Sequence, residues 1–250
     1  MSALMLRLIA CVTMLIDHIG YVTGDMGCRI VGRIAFLIFA FLICNGFRHT
    51  SNRSRYALRL GIFALISQVP FTLFCYGDIR FSHWNVLLTL LLGLLCIWAA
   101  DELRQRPRFR WAALLPAIFV CGMYFFGVIS SDYSERGILT VLVFYFFNGK
   151  KWWQRAMTVA GAVVATLYDY IFAWGVVVAK MALGREVVTP QLGQWQLYQL
   201  FSLGALLFIF LYNGKKGNYP ENPVCAKLLQ YGFYAFYPVH MLILWLIRVL

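Results

Sequence analysis

Residues 6–23 read LRLIACVTMLIDHIGYVT, an almost unbroken apolar run with Arg7 near one end and Asp17-His18 toward the other. A helix of ~20 apolar residues, rising ~1.5 Å per residue, matches the ~30 Å hydrocarbon core of a bilayer. The run is therefore read as a membrane span holding two ionisable residues where hydrocarbon penalises them. Adjacent residues on a helix point ~100° apart, so Asp17 and His18 do not pair with each other. Each needs a partner from another helix, with Arg33 the electrostatic choice for Asp17. Arg7 and His18 stand three turns apart on one face, at opposite ends of the span.

Working outward from this span, the 250-residue chain is 62% hydrophobic and 13% charged, with mean hydropathy +0.72. Soluble domains run near ~45–50% apolar and ~25% charged. This composition excludes a soluble globular domain, a disordered chain and a coiled coil. The seven cysteines are odd in number, lie mostly inside apolar runs and have no CxxC spacing, so they read as small hydrophobes. The apolar runs lack period-2 alternation, which excludes an outer-membrane barrel. The fold class expected is an all-α, polytopic helical bundle forming a single domain over 1–250.

Nine stretches approach span length: 6–23, 29–47, 56–76, 84–100, 109–129, 136–148, 155–181, 194–212 and 227–250. The sixth is short enough to be re-entrant, and the seventh long enough to be tilted or broken near Tyr168-Asp169-Tyr170. No cleavable signal peptide is expected, because Asp17-His18 falls where an apolar signal core would end. The net charge is +12, and most of it is topology. Arg7, Arg48, Arg53, Arg55, Arg104, Arg106, Arg108, Arg110, Lys150, Lys151, Arg155, Lys215, Lys216 and Lys227 fall on one side of the alternation. Only Arg29, Arg80, Arg136, Lys180, Arg185 and Arg248 fall on the other. The positive-inside rule then puts the N-terminus in the cytoplasm and, with nine spans, the C-terminus outside. The excess charge is no argument for nucleic acid.

An ionisable residue within a span costs ~2.5–3.5 kcal/mol on insertion scales and is a functional candidate by default. The set is Asp17, His18, Arg33, Arg59, Asp169 and His240, with Gln68 and Asn45 as neutral polar companions. Depth places His18 and Arg33 roughly 6–8 Å below the outer boundary, and a cluster of His18, Arg33, His240 and Asp169 is the simplest packing. Plain readings compete. Asp17–Arg33 serves equally as a structural ion pair. His240, two residues after Pro238, fits a packed kink. Arg48, Arg53, Arg55, Lys150 and Lys151 suit lipid headgroups, and Asp132, Tyr133 and Glu135 suit an ordinary outer loop. Walker A, HExxH, GxGxxG and GxSxG patterns are all missing, which removes support for ATP-driven transport, zinc proteolysis and serine hydrolysis; no metal is expected.

Several strings in fixed order resemble the TraX family, membrane proteins named for the acetylase of conjugative F-type pilin. They are Met14-Leu15-Ile16-Asp17-His18-Ile19-Gly20, Gly32-Arg33-Ile34-Ala35-Phe36, Gly46-Phe47-Arg48-His49-Thr50, Ser67-Gln68-Val69-Pro70-Phe71, Tyr212-Asn213-Gly214-Lys215-Lys216-Gly217 and Phe233-Tyr234-Ala235-Phe236-Tyr237-Pro238-Val239-His240. Leu37 stands where that family often has proline, Asn45 where it often has an acidic residue, and 150–195 matches poorly. Arg7-x10-His18 also has the spacing of the first helix in the wider membrane acyltransferase-3 group.

The resemblance implies a bacterial inner-membrane, multi-pass acyltransferase that takes acetyl-CoA from the cytosol. Its acceptor would be an amine or hydroxyl of a protein or glycan at the membrane, a pilin N-terminus in the archetype. It makes His18 the base, with Asp17, Arg33 and His240 completing the catalytic set. Arg7, Arg48, Arg59, Lys215 and Lys216 would hold the CoA phosphates, and Asp132 and Tyr133 would stand at the acceptor entrance. The competing classes are a proton-coupled transporter or flippase, relaying through Asp17, Arg33, Asp169 and His240, and a scaffold without chemistry.

Overall fold

The computed structural model describes residues 1–250, apart from the side chain of Trp195. The helices run α1 Ala3–Thr23, α2 Met26–Gly32, α3 Ile34–His49, α4 Arg53–Tyr76, α5 Val86–Gln105, α6 Leu115–Phe125, α7 Ser134–Phe147, α8 Trp152–Thr166, α9 Tyr168–Ala182, α10 Gln194–Leu200, α11 Ala205–Phe210 and α12 Pro223–Val249. Short 3₁₀ turns, Arg110–Leu114 and Phe201–Gly204, lead into α6 and α11. Among the described residues there is no strand, only an isolated bridge between Trp84 and Ser131.

Local chemistry sets the helix ends. Ser2, Asn52, Asn85 and Asn222 each accept a hydrogen bond from a first-turn amide, so the donors left over at a helix start are partly satisfied. Asp25 caps α2 by accepting from the amides of Gly27 and Cys28, which holds its carboxyl below the usual range. α1 and α4 stop at Gly24 and Gly77, both in the left-handed region.

Packing is inverted relative to a soluble protein. Leu58, Leu65, Ile118, Phe119, Val178 and Ile247 are exposed, whereas Ser67, Gln68, Thr72, Asn85 and Thr89 are fully buried. α3 is the central helix: Ile38 and Phe41 pack with Leu6 of α1, Leu94 and Ile97 of α5, and Ile138 and Phe144 of α7. α5 and α7 cross closely at Gly93, where an added Cβ would lie 2.9 Å from Val141 Cγ2. Small residues allow such approaches between apolar helices. Val141 is itself fully buried and has nowhere to move. Gly93→Ala is therefore expected to cost about 1–3 kcal/mol by overpacking, read as a lowered thermal midpoint of the purified protein.

All nine apolar stretches contain helix, but the count of crossings is corrected. Among the described residues, five helical segments are long and apolar enough to cross a membrane: Ala3–Thr23, Met26–His49, Arg53–Tyr76, Val86–Gln105 and Pro223–Val249. A sixth is reached if Trp152–Thr166 and Tyr168–Ala182, bent by 70°, count as one span. The reason is length. The 14 residues of α7 reach only ~21 Å, and the apolar helices within 109–129 and 194–212, Arg110–Phe125 and Gln196–Phe210, are likewise too short.

The expected division of charge is visible as two ends. Arg53 pairs with Asp101 and Glu102 at 2.8 and 3.3 Å, Arg48 donates to the carbonyls of Tyr145 and Asn148, and the Ala3 and Leu4 amides donate to the Lys215 and Lys216 carbonyls. These contacts gather the ends of α1, α3, α4, α5, α7 and α11 into one strongly basic end. At the opposite end, the C-termini of α1 and α4 meet the start of α2 and the N-termini of α5 and α7.

Candidate active site

That opposite end holds a cavity of about 340 Å³, lined by Asp17, His18, Arg29, Arg33, Asp132, Tyr133 and Arg136 among apolar walls that include Met14, Phe71, Phe74 and Met241. Asp17 accepts from Arg29 at 2.7 Å and from Arg33. The expected Asp17–Arg33 pair is therefore half of an Arg–Asp–Arg triad whose side chains are 8–16% exposed. Arg33 sits at the junction of α2 and α3, where its amide donates to the carbonyls of Ile30 and Val31 and tightens the turn. Gly32 lets α2 rest directly on α1, since an added Cβ would lie 2.6 Å from Asp17 Cα. Gly32→Ala is expected to displace the triad, lowering the thermal midpoint more than Gly61→Ala, where an added Cβ would meet only Leu91 at 3.5 Å.

His18 finds its partner on α12. Its Nδ1 lies 2.6 Å from His240 Nε2, and His240 Nδ1 lies 2.6 Å from the Phe236 carbonyl oxygen. That carbonyl only accepts, so His240 Nδ1 carries a proton and, in the neutral ring, Nε2 is an acceptor. His18 Nδ1–H then donates to it. The unprotonated nitrogen of the pair is His18 Nε2, on the residue that lines the cavity. Phe74 meets the His18 ring edge-on at 5.3 Å and helps hold its plane.

The cavity roof joins two distant loops. Trp84 N donates to the Ser130 carbonyl at 2.8 Å and Asp132 N to the Trp84 carbonyl at 3.0 Å. Gln68 anchors the first loop from below, donating to the carbonyls of His83 at 2.7 Å and Arg80 at 3.2 Å, while Asn85 donates to Gln68 and to the Ala64 carbonyl. Tyr133 has φ +64° and stacks on Phe36 with centroids 3.7 Å apart. A bulky residue held in the left-handed region is a strain that surrounding contacts must offset, a common feature of functional sites.

Asp17, His18, Arg33 and His240 thus come together as expected, and Asp132 and Tyr133 line the same cavity. Asp169 does not join them, which corrects the four-residue cluster. It stands in the first turn of α9, 55% exposed, and pairs with Arg136 at 3.2 Å because the chain bends at Leu167. The five cations expected for CoA phosphates lie away from the cavity lining. Arg7 donates to the Tyr219 hydroxyl, Lys216 lies 4.5 Å from the Tyr219 ring, and Lys215 and Lys216 line a separate cavity of about 500 Å³ at the basic end. Arg59 Nε is buried with no hydrogen-bond partner among the described residues. Arg29 and His83 were missed by sequence reasoning. Arg29 reads as an end-of-span charge, and His83 acquires meaning only through contacts 47 and 49 residues away.

Fold and site define a class: a helical membrane protein with a polar, ion-paired and histidine-bearing cavity at one end of its bundle. The chain belongs to the TraX protein family, whose pattern it matches over residues 2–248. It is 28% identical over 263 aligned residues to the probable fimbrial assembly protein FimC, serogroup H1, of Dichelobacter nodosus, covering 97% of this chain and 94% of that protein. No solved structure matches it.

Proposed function

We propose that the chain is a membrane-embedded acetyltransferase that moves an acetyl group from acetyl-CoA to an amine or hydroxyl presented at the membrane, with a fimbrial subunit as the acceptor. The observation that carries this reading is the Phe236–His240–His18 chain, which directs one unprotonated imidazole nitrogen to a residue of the cavity wall. Such a nitrogen can take a proton from an attacking nucleophile and return it to the leaving thiolate. Arg33 and Arg29, fixed by Asp17, supply positive charge for the oxyanion in surroundings that screen it weakly. His240 orients the base. Membership of the TraX family and similarity to a fimbrial assembly protein support the acceptor class.

The basic end would face the cytoplasm of a bacterial inner membrane by the positive-inside rule. Arg7, Arg59, Lys215 and Lys216 stand there for the phosphates of CoA, and the orphaned Arg59 Nε fits an incoming anion. Arg48 is less available, because its guanidinium already donates to two carbonyls.

Purified full-length protein incubated with isotope-labelled acetyl-CoA and membrane fractions should transfer label to a protein acceptor, identified by mass spectrometry. Substrate flux into proteoliposomes without consumption of acetyl-CoA would overturn the reading in favour of a transporter.

A further inference from the structure

Among the described residues, three buried side-chain polar atoms have no hydrogen-bond partner: Arg59 Nε, Ser67 Oγ and the Tyr237 hydroxyl oxygen. Of these, Tyr237 alone belongs to the cavity that holds His18. It is 4% exposed and packs with Met14, Ala35, Phe71, Phe74 and Met241. Phenylalanine would fill the same apolar space without burying a hydroxyl. A buried donor left unsatisfied is costly to a fold and calls for an explanation. Tyr21, on the same cavity wall, shows the ordinary alternative, since its hydroxyl donates to the Cys75 carbonyl at 3.2 Å.

The neighbours of the phenol define where its proton can go. Tyr237 stands three residues before His240 on α12, with its ring centroid 6.5 Å from that of His18 and 6.0 Å from that of His240. It is therefore beside the base and fixed to the same helix as the residue that orients the base. On its other side α5 begins. Asn85 accepts there from the Leu87 amide at 3.0 Å and, through its carbonyl, from Leu88 at 3.1 Å, while Thr89 donates to the Asp132 carbonyl. These bonds fix the first turn of α5. The Val86 amide faces the phenol oxygen without closing a hydrogen bond of ordinary geometry, and Val86 lines the cavity too. Two donor protons repel each other, so the phenol proton turns from Val86 toward the cavity. The positive end of the α5 dipole adds to the pull on any negative charge that meets it.

The arginines of the cavity are placed differently. Asp17 accepts from Arg29 and from Arg33, and Arg33 Nε donates to the Arg29 carbonyl at 3.1 Å. They supply positive field while donating within the protein.

The geometry points to Tyr237 as a further catalytic residue, whose hydroxyl donates to the carbonyl oxygen of the acetyl thioester and holds the oxyanion formed there. The inference rests on the acetyltransferase reading, with His18 as the base. In the first step the acceptor heteroatom forms a bond to the carbonyl carbon, and the π pair of the C=O bond moves onto oxygen. The proton of the acceptor passes to His18 Nε2. The oxyanion accepts the Tyr237 hydrogen bond, and Tyr237 keeps its proton throughout. In the second step the pair on oxygen restores the C=O bond, the C–S bond breaks, and the thiolate takes the proton from His18. A donor held in place before the reaction acts strongly because nothing has to reorganise as charge develops.

The test uses full-length protein in lipid nanodiscs, acetyl-CoA carrying carbon-13 at the carbonyl, and membrane fractions as the source of acceptor. Tyr237→Phe keeps the ring and removes only the hydroxyl oxygen. Loss of a single oxyanion donor typically lowers kcat by about 10²–10³-fold, and that fall is expected here with KM for acetyl-CoA within about twofold of wild type. The thermal midpoint should equal or exceed that of wild type, because an orphaned polar group has been removed. Isotope-edited infrared spectra taken without acceptor read the carbonyl itself. Its stretch should lie below that of free acetyl-CoA in the wild-type complex and return toward the free value in Tyr237→Phe. A wild-type kcat in Tyr237→Phe, a carbonyl stretch identical in the two proteins, or a lowered thermal midpoint would each overturn the inference. In all three cases wild type still binds acetyl-CoA and labels the membrane fractions. Wild-type protein that neither binds acetyl-CoA nor labels the fractions would overturn the acetyltransferase reading beneath it.

Discussion

Alanine at position 18 is expected to lower acetyl transfer by about 10²–10⁴-fold, the range that a positioned general base supplies. The side chain lost is the one on the cavity wall, and its hydrogen-bond partner His240 is not among the lining residues. The same change leaves His240 Nε2 as a buried acceptor without its donor, at a cost of about 1–3 kcal/mol. Loss of activity and modest loss of stability would therefore coincide and obscure each other. His18→Asn separates them, because an amide can still donate to His240 yet accepts no proton during catalysis. The expected result is a thermal midpoint near wild type with transfer as weak as in His18→Ala. Single-turnover measurement with labelled acetyl-CoA reads the chemical step directly. Transfer by His18→Asn at the wild-type rate would remove His18 from the chemistry.

Much of this site was legible in the sequence for one physical reason. A charge in an apolar run is costly, so Asp17, His18, Arg33 and His240 stand out wherever the helices later place them. Depth along the helix then brought His18, Arg33 and His240 to a common level. The same reasoning misplaced Asp169: a break near Tyr168-Asp169-Tyr170 was legible and the chain does bend by 70° there, but depth counted along 155–181 did not take the bend into account. Arg29 escaped notice because a cation at the end of a span is what topology alone provides. Counting apolar residues also overstated the crossings, since a bilayer is spanned by helix length, and α7 has the composition without the length. The roof was beyond reach: Ser130, Asp132 and His83 are ordinary loop residues until Gln68 and Thr89 fix the backbone between them.

The largest effect on stability is expected at Asp17. Its carboxylate is the shared counter-ion of Arg29 and Arg33, and all three side chains are mostly buried. Removing one partner of a buried pair typically costs about 3–5 kcal/mol, because the charge left behind keeps its desolvation penalty and loses its compensation. In Asp17→Ala two guanidiniums face each other across that vacancy, so the cost should lie at the upper end of the range. It would be read as a fall in the thermal midpoint of purified protein. Asp17→Asn should cost less, since the amide oxygen still accepts from one arginine while the charge is gone. The decisive comparison is Asp17→Leu combined with Arg29→Met and Arg33→Met. Replacing a whole buried ion cluster by apolar residues of similar volume is often neutral or stabilising. The triple variant should therefore regain most of the stability lost in Asp17→Ala. It should not regain acetyl transfer, because the positive charge assigned to the oxyanion has gone with the arginines. Recovery of both properties together would reduce the triad to a structural ion cluster and leave the oxyanion to another donor.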